Sequence, residues 1–240
     1  MTRLTLATTG LAFIAGYVDT VCFVALFGLF TAHVTGNFVL IGADVAGFGQ
    51  GVFMKLMAFP AFIAGVGLSS ALVKVARPQG ANCSAALLYA AQALLLLAFC
   101  LSGVGAEPVI SAGSLPVVAC GMLGAAAMGV QNAHGRLIVR GGVPNTVMTG
   151  NVTQAVLDAI ELVSSEMAAD AKTAVRTRFG KTLQAVACFG VGAIAGALAY
   201  RHVSFWALLL PFALLVWLAL AARRDGADTA DREAMPDSPR

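Results

Sequence analysis

Residues 35–44 read TGNFVLIGAD and residues 149–158 read TGNVTQAVLD, so both stretches follow the pattern T-G-N-x6-D. Two further matches flank this pair in the same order: GYVD at 16–19 with GVQN at 129–132 upstream, and GVG at 65–67 with GVG at 190–192 downstream. Three ordered matches indicate that the chain contains an internal duplication.

The composition predicts that the duplicated chain lies in a lipid bilayer. Of its 240 residues, 59% are hydrophobic and only 11% are charged, and the mean hydropathy is +0.84. Soluble domains average about 45–50% apolar and about 25% charged residues. These values exclude a soluble domain and a disordered chain. The net charge of +3 is too small for a nucleic-acid partner.

Eight apolar stretches have helical length, but only six of them reach the roughly 20 residues that cross a bilayer. The six are about 7–30, 51–73, 83–103, 115–138, 180–200 and 203–222. The stretches 36–47 and 150–164 are shorter or more polar, and each begins at a Thr-Gly pair.

The positions of Lys and Arg favour six crossings, because basic loops stay in the cytoplasm. With six crossings and the N-terminus inside, 13 basic residues face the cytoplasm and 2 face outward. Eight crossings give 10 and 5, and seven crossings with the N-terminus outside give 12 and 3. Six is therefore preferred and seven stays open. The C-terminus is cytoplasmic in every case.

Three crossings in each half force the second half to enter the membrane upside down, which is the inverted-repeat architecture of many transporters. We therefore expect an all-α polytopic membrane protein of about six transmembrane helices and two short half-helices. The transmembrane domain covers 1–222, with repeat 1 at about 7–103 and repeat 2 at about 115–222. A disordered cytoplasmic tail follows at 223–240.

The two Thr-Gly-Asn starts are predicted to form a solute site near the membrane midplane. Thr is a good N-cap, and a helix that starts inside a membrane exposes N–H groups that need a partner. The alternative is a capped half-helix that simply packs against its neighbours. The residues are Thr35, Gly36 and Asn37 in the first copy and Thr149, Gly150 and Asn151 in the second.

Asp19 lies about twelve residues into the first span, where a carboxylate costs roughly 2.5–3.5 kcal/mol on insertion scales. We expect it to carry a coupling proton or contact a cation, unless it is neutral and hydrogen-bonded to another helix. The second copy has Asn132 at the matching position, beside Gln131. We expect these two amides to orient the solute.

Asp44, Asp158 and His134 are further candidates for coupling. Each Asp lies seven residues, or two helical turns, past its Asn and shares its face. Both Asp side chains would instead be merely hydrated if their short helices end at the interface. His134 lies close to Arg136, so an interfacial position is its alternative.

No enzyme, metal or cofactor is predicted. The five Cys residues are odd in number, lie in apolar segments and lack C-x-x-C spacing, which speaks against disulfides and zinc. The motifs G-x-S-x-G, H-E-x-x-H, Walker A and G-x-G-x-x-G are missing.

The segments AGYVDTVCFVALFGLFTAHVTGNFVLIGADVA and GVQNAHGRLIVRGGVPNTVMTGNVTQAVLD resemble the two signature regions of the YoaK-like family. These are bacterial multi-pass inner-membrane proteins with a domain of unknown function. The resemblance covers roughly residues 10–220 and implies the same membrane class and location, but no reaction.

The sequence therefore favours a secondary transporter of a small solute. The alternatives are a membrane anchor or regulatory module that acts through loop 165–181 and tail 223–240, and a channel. Homo-oligomerisation stays open, and the sequence does not identify the solute.

Overall fold

A computed structural model describes residues 3–139, 142–163 and 169–234. These described residues form helices and turns without any strand, which confirms the all-α fold. The helices are α1 Arg3–Ala25, α2 Asn37–Val45, α3 Val52–Ala76, α4 Ala81–Gly105, α5 Leu115–Leu137, α6 Met148–Val163, α7 Ala169–Val203 and α8 Leu209–Ala234. A 3-10 turn, Val34–Gly36, leads into α2, and another, Ser204–Leu208, separates α7 from α8.

The long helices match the predicted spans. Apolar stretches long enough to cross a membrane coincide with α1, α3, α4 and α5, and a fifth, Ala169–Gly226, covers α7 and most of α8. A helix of 23 residues, the length of α1, extends about 35 Å, whereas the hydrocarbon core is about 30 Å thick. The nine residues of α2 extend only about 14 Å. The chain is thus a multi-pass membrane protein.

Helix α1 ends at Ala25 and α8 begins at Leu209, five and six residues from the predicted bounds, and two other boundaries differ more. Helix α7 begins at Ala169 rather than at residue 180, because the charged stretch is itself helical. Thr173 and Thr177 donate their hydroxyls to carbonyls four residues earlier, and the segment is rich in Ala and Arg, which favour helix. Residues 165–168 of the predicted loop lie outside the described residues.

The end of α8 is the second difference. The helix continues to Ala234, where the sequence predicted a disordered tail from residue 223. Ala and Arg are frequent in this stretch and extend the helix beyond the apolar part. Residues 235–240 of the predicted tail lie outside the described residues.

Glycines allow two pairs of helices to pack with their backbones nearly in contact. A Cβ atom added at Gly16 of α1 or Gly192 of α7 would lie within 3.0 Å of a backbone carbonyl of the other helix. The same holds for Gly65 of α3 and Gly129 of α5. Close packing of small residues is the usual basis of helix association in membranes, and it joins both of these helix pairs. Helix α4 packs against both α5 and α8.

The buried core lies where α1, α4 and α5 meet the Ser204–Leu208 turn. Phe99 of α4 and Phe205 of the turn are completely buried and their rings meet edge to face. Tyr17 of α1 donates its hydroxyl to the Ala207 carbonyl at 2.9 Å. The outer faces of α3 and α7 instead expose large apolar side chains such as Ile63 and Ile194, as contact with lipid requires.

Substituting the packing glycines tests these helix contacts. Gly65→Ala and Gly192→Ala are expected to lower the melting temperature of the purified protein markedly, because each new methyl group overlaps a backbone carbonyl and forces the helices apart. The matched controls are Gly67→Ala and Gly190→Ala, where nothing lies within 4 Å of the new atom. Equal melting temperatures for all four variants would contradict the packing.

Candidate functional site

Two cavities lie at opposite ends of the helix bundle in the part of the chain that the structure describes. The larger, here called the His134 cavity, has a volume of about 670 Å³ and lies among the starts of α1 and α4, the end of α5, loop 138–147 and α8. Its walls include Leu11, Tyr89, Asn132, His134 and Leu218. The smaller, here called the Asp19 cavity, has a volume of about 460 Å³ and lies beside the last third of α1.

Asp19 holds the loop between α1 and α2 through both oxygens of its carboxylate. Oδ1 accepts hydrogen bonds from the backbone N–H groups of Thr31 and Ala32, both at 2.7 Å. Oδ2 lies 2.8 Å from Nδ1 of His33. Asp19 is buried, whereas the His33 side chain is 34% exposed. The cost of placing a carboxylate at this depth is therefore offset by direct hydrogen bonds.

Asn132 has the corresponding position in the second half and holds the corresponding loop. Its Nδ2 donates to the Thr146 hydroxyl at 2.8 Å, in the loop that precedes α6. Asn132 and Thr146 both line the His134 cavity. Each half therefore has a polar side chain on its first helix that fixes the loop before its short helix, and each of these loops borders a cavity.

Asn37 and Asn151 each bind the backbone of the residue seven positions earlier. Asn37 donates Nδ2 to the Phe30 carbonyl at 2.8 Å and accepts the Phe30 N–H at 3.0 Å. Asn151 donates Nδ2 to the Pro144 carbonyl at 2.7 Å. Both side chains are buried, and neither lines the two cavities. The described contacts do not bring Asn37 and Asn151 together.

The other Thr-Gly-Asn residues do not cap their helices as the sequence predicted. The N-cap of α2 is Gly36, which makes no side-chain cap, and Thr35 lies in the preceding 3-10 turn. Helix α6 begins at Met148, so Thr149 and Gly150 lie inside its first turn because the helix extends one residue further back. Gly36 borders the Asp19 cavity.

Asp44 and Asp158 each pair with a basic residue near the start of the following long helix. Lys55 Nζ lies 2.6 Å from Asp44 Oδ2 and donates to the Gln50 carbonyl at 2.7 Å. The turn into α3 passes through Gly51 at φ 100°, a conformation that favours glycine.

In the second pair, the basic residue Arg178 is partly exposed. Arg178 donates Nε and Nη2 to Asp158 at 3.0 and 2.6 Å, and Gln154 donates to the same carboxylate. The hydrogen bonds from Arg178 hold the pKa of the Asp158 carboxyl below its usual value. Both acids are thus ion-paired, which the sequence did not predict.

His134 is the least satisfied polar group of the predicted set. Its side chain is only 2% exposed, and neither ring nitrogen has a hydrogen-bond partner among the described residues. The ring stacks on Tyr89 with centroids 4.7 Å apart, and both residues line the His134 cavity. A buried polar atom without a partner costs about 1–3 kcal/mol.

Gln131 connects three helices and lines neither cavity. Its Oε1 accepts from Gln92 Nε2 at 2.7 Å, and its Nε2 donates to the Leu11 carbonyl at 2.7 Å. Gln131 thus makes the interhelical hydrogen bonds that are typical of amides in membrane helices, whereas the sequence predicted that it orients the solute. This arrangement leaves Gln131 little capacity for a solute.

Sequence reasoning missed several residues of these sites. His33, Lys55 and Arg178 partner the three predicted acids, and Tyr89 and Arg224 line the His134 cavity. The one available signal was the isolation of Lys55 on the sparsely basic face of the bundle. Across the described residues, no three His, Cys, Asp or Glu side chains come together as a metal site would require.

Comparison with known proteins agrees with this architecture. Residues 7–221 match the family described as "Protein of unknown function (DUF1275)". The chain belongs to the DUF1275 family. This DUF1275 protein is also 29% identical over 213 residues to the UPF0700 transmembrane protein YoaK of Bacillus subtilis (strain 168), covering 87% of this chain and 89% of that protein. The resemblance to YoaK-like proteins is thereby confirmed. No solved structure gives a significant match to this DUF1275 chain.

Proposed function

We propose that this DUF1275 protein is a secondary transporter of a small solute in the bacterial inner membrane, with its C-terminus in the cytoplasm. The observation that carries the proposal is the His134 cavity, about 670 Å³ in volume and lined by a buried histidine whose ring nitrogens have no hydrogen-bond partner among the described residues. Solute sites are typically concave, mostly apolar and supplied with a few polar groups. No catalytic step is assigned to the cavity.

Recurring helix contacts support an inverted repeat, with α1–α4 as one unit and α5–α8 as the other. Gly16 of α1 abuts the Phe189 carbonyl of α7, and Gly129 of α5 abuts the Phe62 carbonyl of α3. Gly16 and Gly129 are 113 positions apart, and Phe62 and Phe189 are 127 apart. The first helix of each repeat therefore packs on the third helix of the other.

A second pair of contacts has the same spacing. Gly65 of α3 abuts the Ala126 carbonyl of α5, and Gly192 of α7 abuts the Phe13 carbonyl of α1. The offsets are again 113 positions for the first helices and 127 for the third helices. Both pairs of contacts share these offsets, which supports an approximate two-fold axis between the repeats. With three crossings per repeat, the topology of the repeats would be inverted.

One pair of helix–helix interfaces, here called seams, departs from this symmetry. Helix α4 packs closely on α5, where Gln92 bonds Gln131 and Phe99 lies against Gly124. The symmetry-related helices α8 and α1 pack less closely on each other, and the His134 cavity lies between them, with Leu11 and Leu218 among its walls. In a second conformation, α1 packs closely on α8 and α4 moves away from α5. This conformation opens at the opposite face of the membrane. Alternation between two such states moves a solute across the membrane.

The lining of the two cavities supports different functional roles for several residues than the sequence predicted. Asn132 takes the role of orienting the solute, because Asn37 and Asn151 already bind backbone groups. Asp44 and Asp158 act as anchors for the short helices, which are the proposed half-helices. Asp19 keeps the coupling role, because its carboxylate and His33 lie 2.8 Å apart and border the Asp19 cavity.

The test follows the exchange of many candidate solutes at once. Proteoliposomes loaded with a bacterial metabolite extract are diluted into extract labelled with heavy isotopes, and the exchange of each compound is followed by mass spectrometry. We expect wild-type protein to accelerate the exchange of at least one small solute roughly tenfold or more over Ala85→Trp. Ala85 lines the His134 cavity, and an indole there protrudes into it and narrows it.

Two further results bear on the same experiment. Asp19→Asn is expected to keep exchange but to lose accumulation driven by a pH gradient, because an amide accepts the same backbone hydrogen bonds and carries no proton. The function is refuted if no compound exchanges faster with wild-type protein than with Ala85→Trp or with protein-free vesicles. An anchoring or regulatory module would give that outcome.

A further inference from the structure

We propose that the His134 cavity binds a small organic anion, with one carboxylate on an apolar or aromatic body. This inference rests on the proposed function in taking the cavity as the solute site. It goes further by assigning the chemical class of the solute.

The polar wall of the cavity requires a ligand with a hydrogen-bonding group. The side chain of His134 is nine-tenths buried or more, and both of its nitrogens lack a partner among the described residues. A neutral imidazole offers one donor and one acceptor. A ligand oxygen that accepts from the ring removes part of the cost of the unsatisfied buried group.

The charges of the cavity select a negative ligand. Arg136 and Arg224 both line it and are exposed on the folded chain. Asp225 is the acidic residue among the described lining residues, and it is engaged in a contact of its own. Two guanidinium groups against one carboxylate favour an anion. Arginine also binds carboxylates through a planar pair of N–H groups.

The remaining walls select an apolar body. Leu11, Val139 and Leu218 contribute aliphatic surface, while Tyr89 and Trp217 contribute aromatic faces. A volume of about 670 Å³ lies within the usual range of small-molecule pockets, roughly 300–1,000 Å³. The ligand therefore combines a charged end near the arginines with a body that contacts these walls.

Three matched probes test the assignment: benzoate, benzyl alcohol and benzylamine, which share a ring and differ in charge. Each is titrated calorimetrically into the purified full-length protein at neutral pH. We expect benzoate to bind most tightly. Arg224→Gln is expected to weaken benzoate roughly tenfold, in line with the loss of one charge-assisted hydrogen bond, and to leave benzyl alcohol unchanged.

Two further variants test whether the histidine contributes to binding and whether the effect of the arginine is specific to the cavity. His134→Phe retains an aromatic ring and is expected to weaken both benzoate and benzyl alcohol. Arg201→Gln is the matched control, because Arg201 is exposed and lines neither cavity, and benzoate binding should not change. If His134→Phe does not fold, Arg224→Gln decides the outcome alone.

The possible failures are distinguishable. Three results would overturn the assignment of an organic anion: equal binding of the three probes, tighter binding of benzylamine, or no binding of any probe. The last result would mean that the cavity holds only water. Exchange of neutral or cationic solutes alone in the vesicle experiment overturns the solute class and leaves transport intact. Benzoate binding without any solute exchange overturns transport and leaves the binding site intact.

Discussion

Asp44→Asn is expected to abolish most of the folded protein, because it leaves the ammonium group of Lys55 buried without a counter-ion. Lys55 is 2% exposed, and its Nζ bonds only the Asp44 carboxylate and the Gln50 carbonyl in the described structure. Removing one partner of a buried ion pair costs about 3–5 kcal/mol. That is a large part of the roughly 5–15 kcal/mol that stabilises a typical protein. Yield and melting temperature after detergent extraction measure the effect.

A double variant separates the unpaired charge from the loss of the carboxylate itself. Asp44→Asn combined with Lys55→Met removes both charges and should recover most of the stability, since apolar replacement of buried pairs is often neutral. Asp158→Asn is the matched comparison. Its partner Arg178 is 47% exposed and can turn to water, so a smaller loss is expected. Equal losses for Asp44→Asn and Asp158→Asn would contradict this explanation.

The membrane spans could be predicted from sequence because they depend on one quantity, the length of uninterrupted apolar sequence. The predicted span 115–138 and the helix Leu115–Leu137 differ by one residue. The start of α7 was missed because residues 169–178 are polar. Hydropathy reports where a helix enters lipid, whereas the helix itself begins earlier, in water.

The sequence predicted that Asp19 needs a partner but not which one. Its partners are the backbone of Thr31 and Ala32 and the ring of His33, and they meet only when the loop after α1 folds back. A loop conformation leaves no periodic signal in a sequence. The pairing of Asp158 with Arg178, twenty residues away, was hidden for the same reason.

The proposed repeat rests on sequence matches, but these matches and the helix contacts give different registers for the third helices. The two GVG motifs suggest that Gly65 corresponds to Gly190, whereas the helix contacts match Gly65 with Gly192. Gly67 and Gly190 make no close contact, so the two GVG motifs do not mark equivalent packing positions. In the proposed repeat, the two halves share positions in the packed interface rather than residue identity.

In the proposed repeat, Cys120 is the counterpart of a residue that lines the His134 cavity. Cys120 is completely buried in the α4–α5 seam, where its Sγ lies 3.8 Å from the Phe99 carbonyl. It is 113 positions from Ala7, which lines the His134 cavity. If the seams exchange, Cys120 becomes accessible from the face at which α1 ends. Minor conformations are typically populated at about 0.1–10%.

The experiment retains Cys120 as the single cysteine, after replacement of Cys22, Cys83, Cys100 and Cys188. Ala58→Cys in a cysteine-free chain is the matched control, because Ala58 is completely buried and its counterpart Ala185 lines neither cavity. Adding Ala85→Trp should hold the α1–α8 seam open and thereby suppress the modification of Cys120.

The most direct test of alternating access is the rate at which a membrane-impermeant maleimide modifies Cys120 in sealed vesicles. We expect Cys120 to react from the face at which α1 ends, at least roughly tenfold faster than Ala58→Cys given such a minor population, and to be protected by Ala85→Trp. A Cys120 that reacts no faster than Ala58→Cys would mean that the α4–α5 seam never opens, and it would contradict transport through exchanging seams.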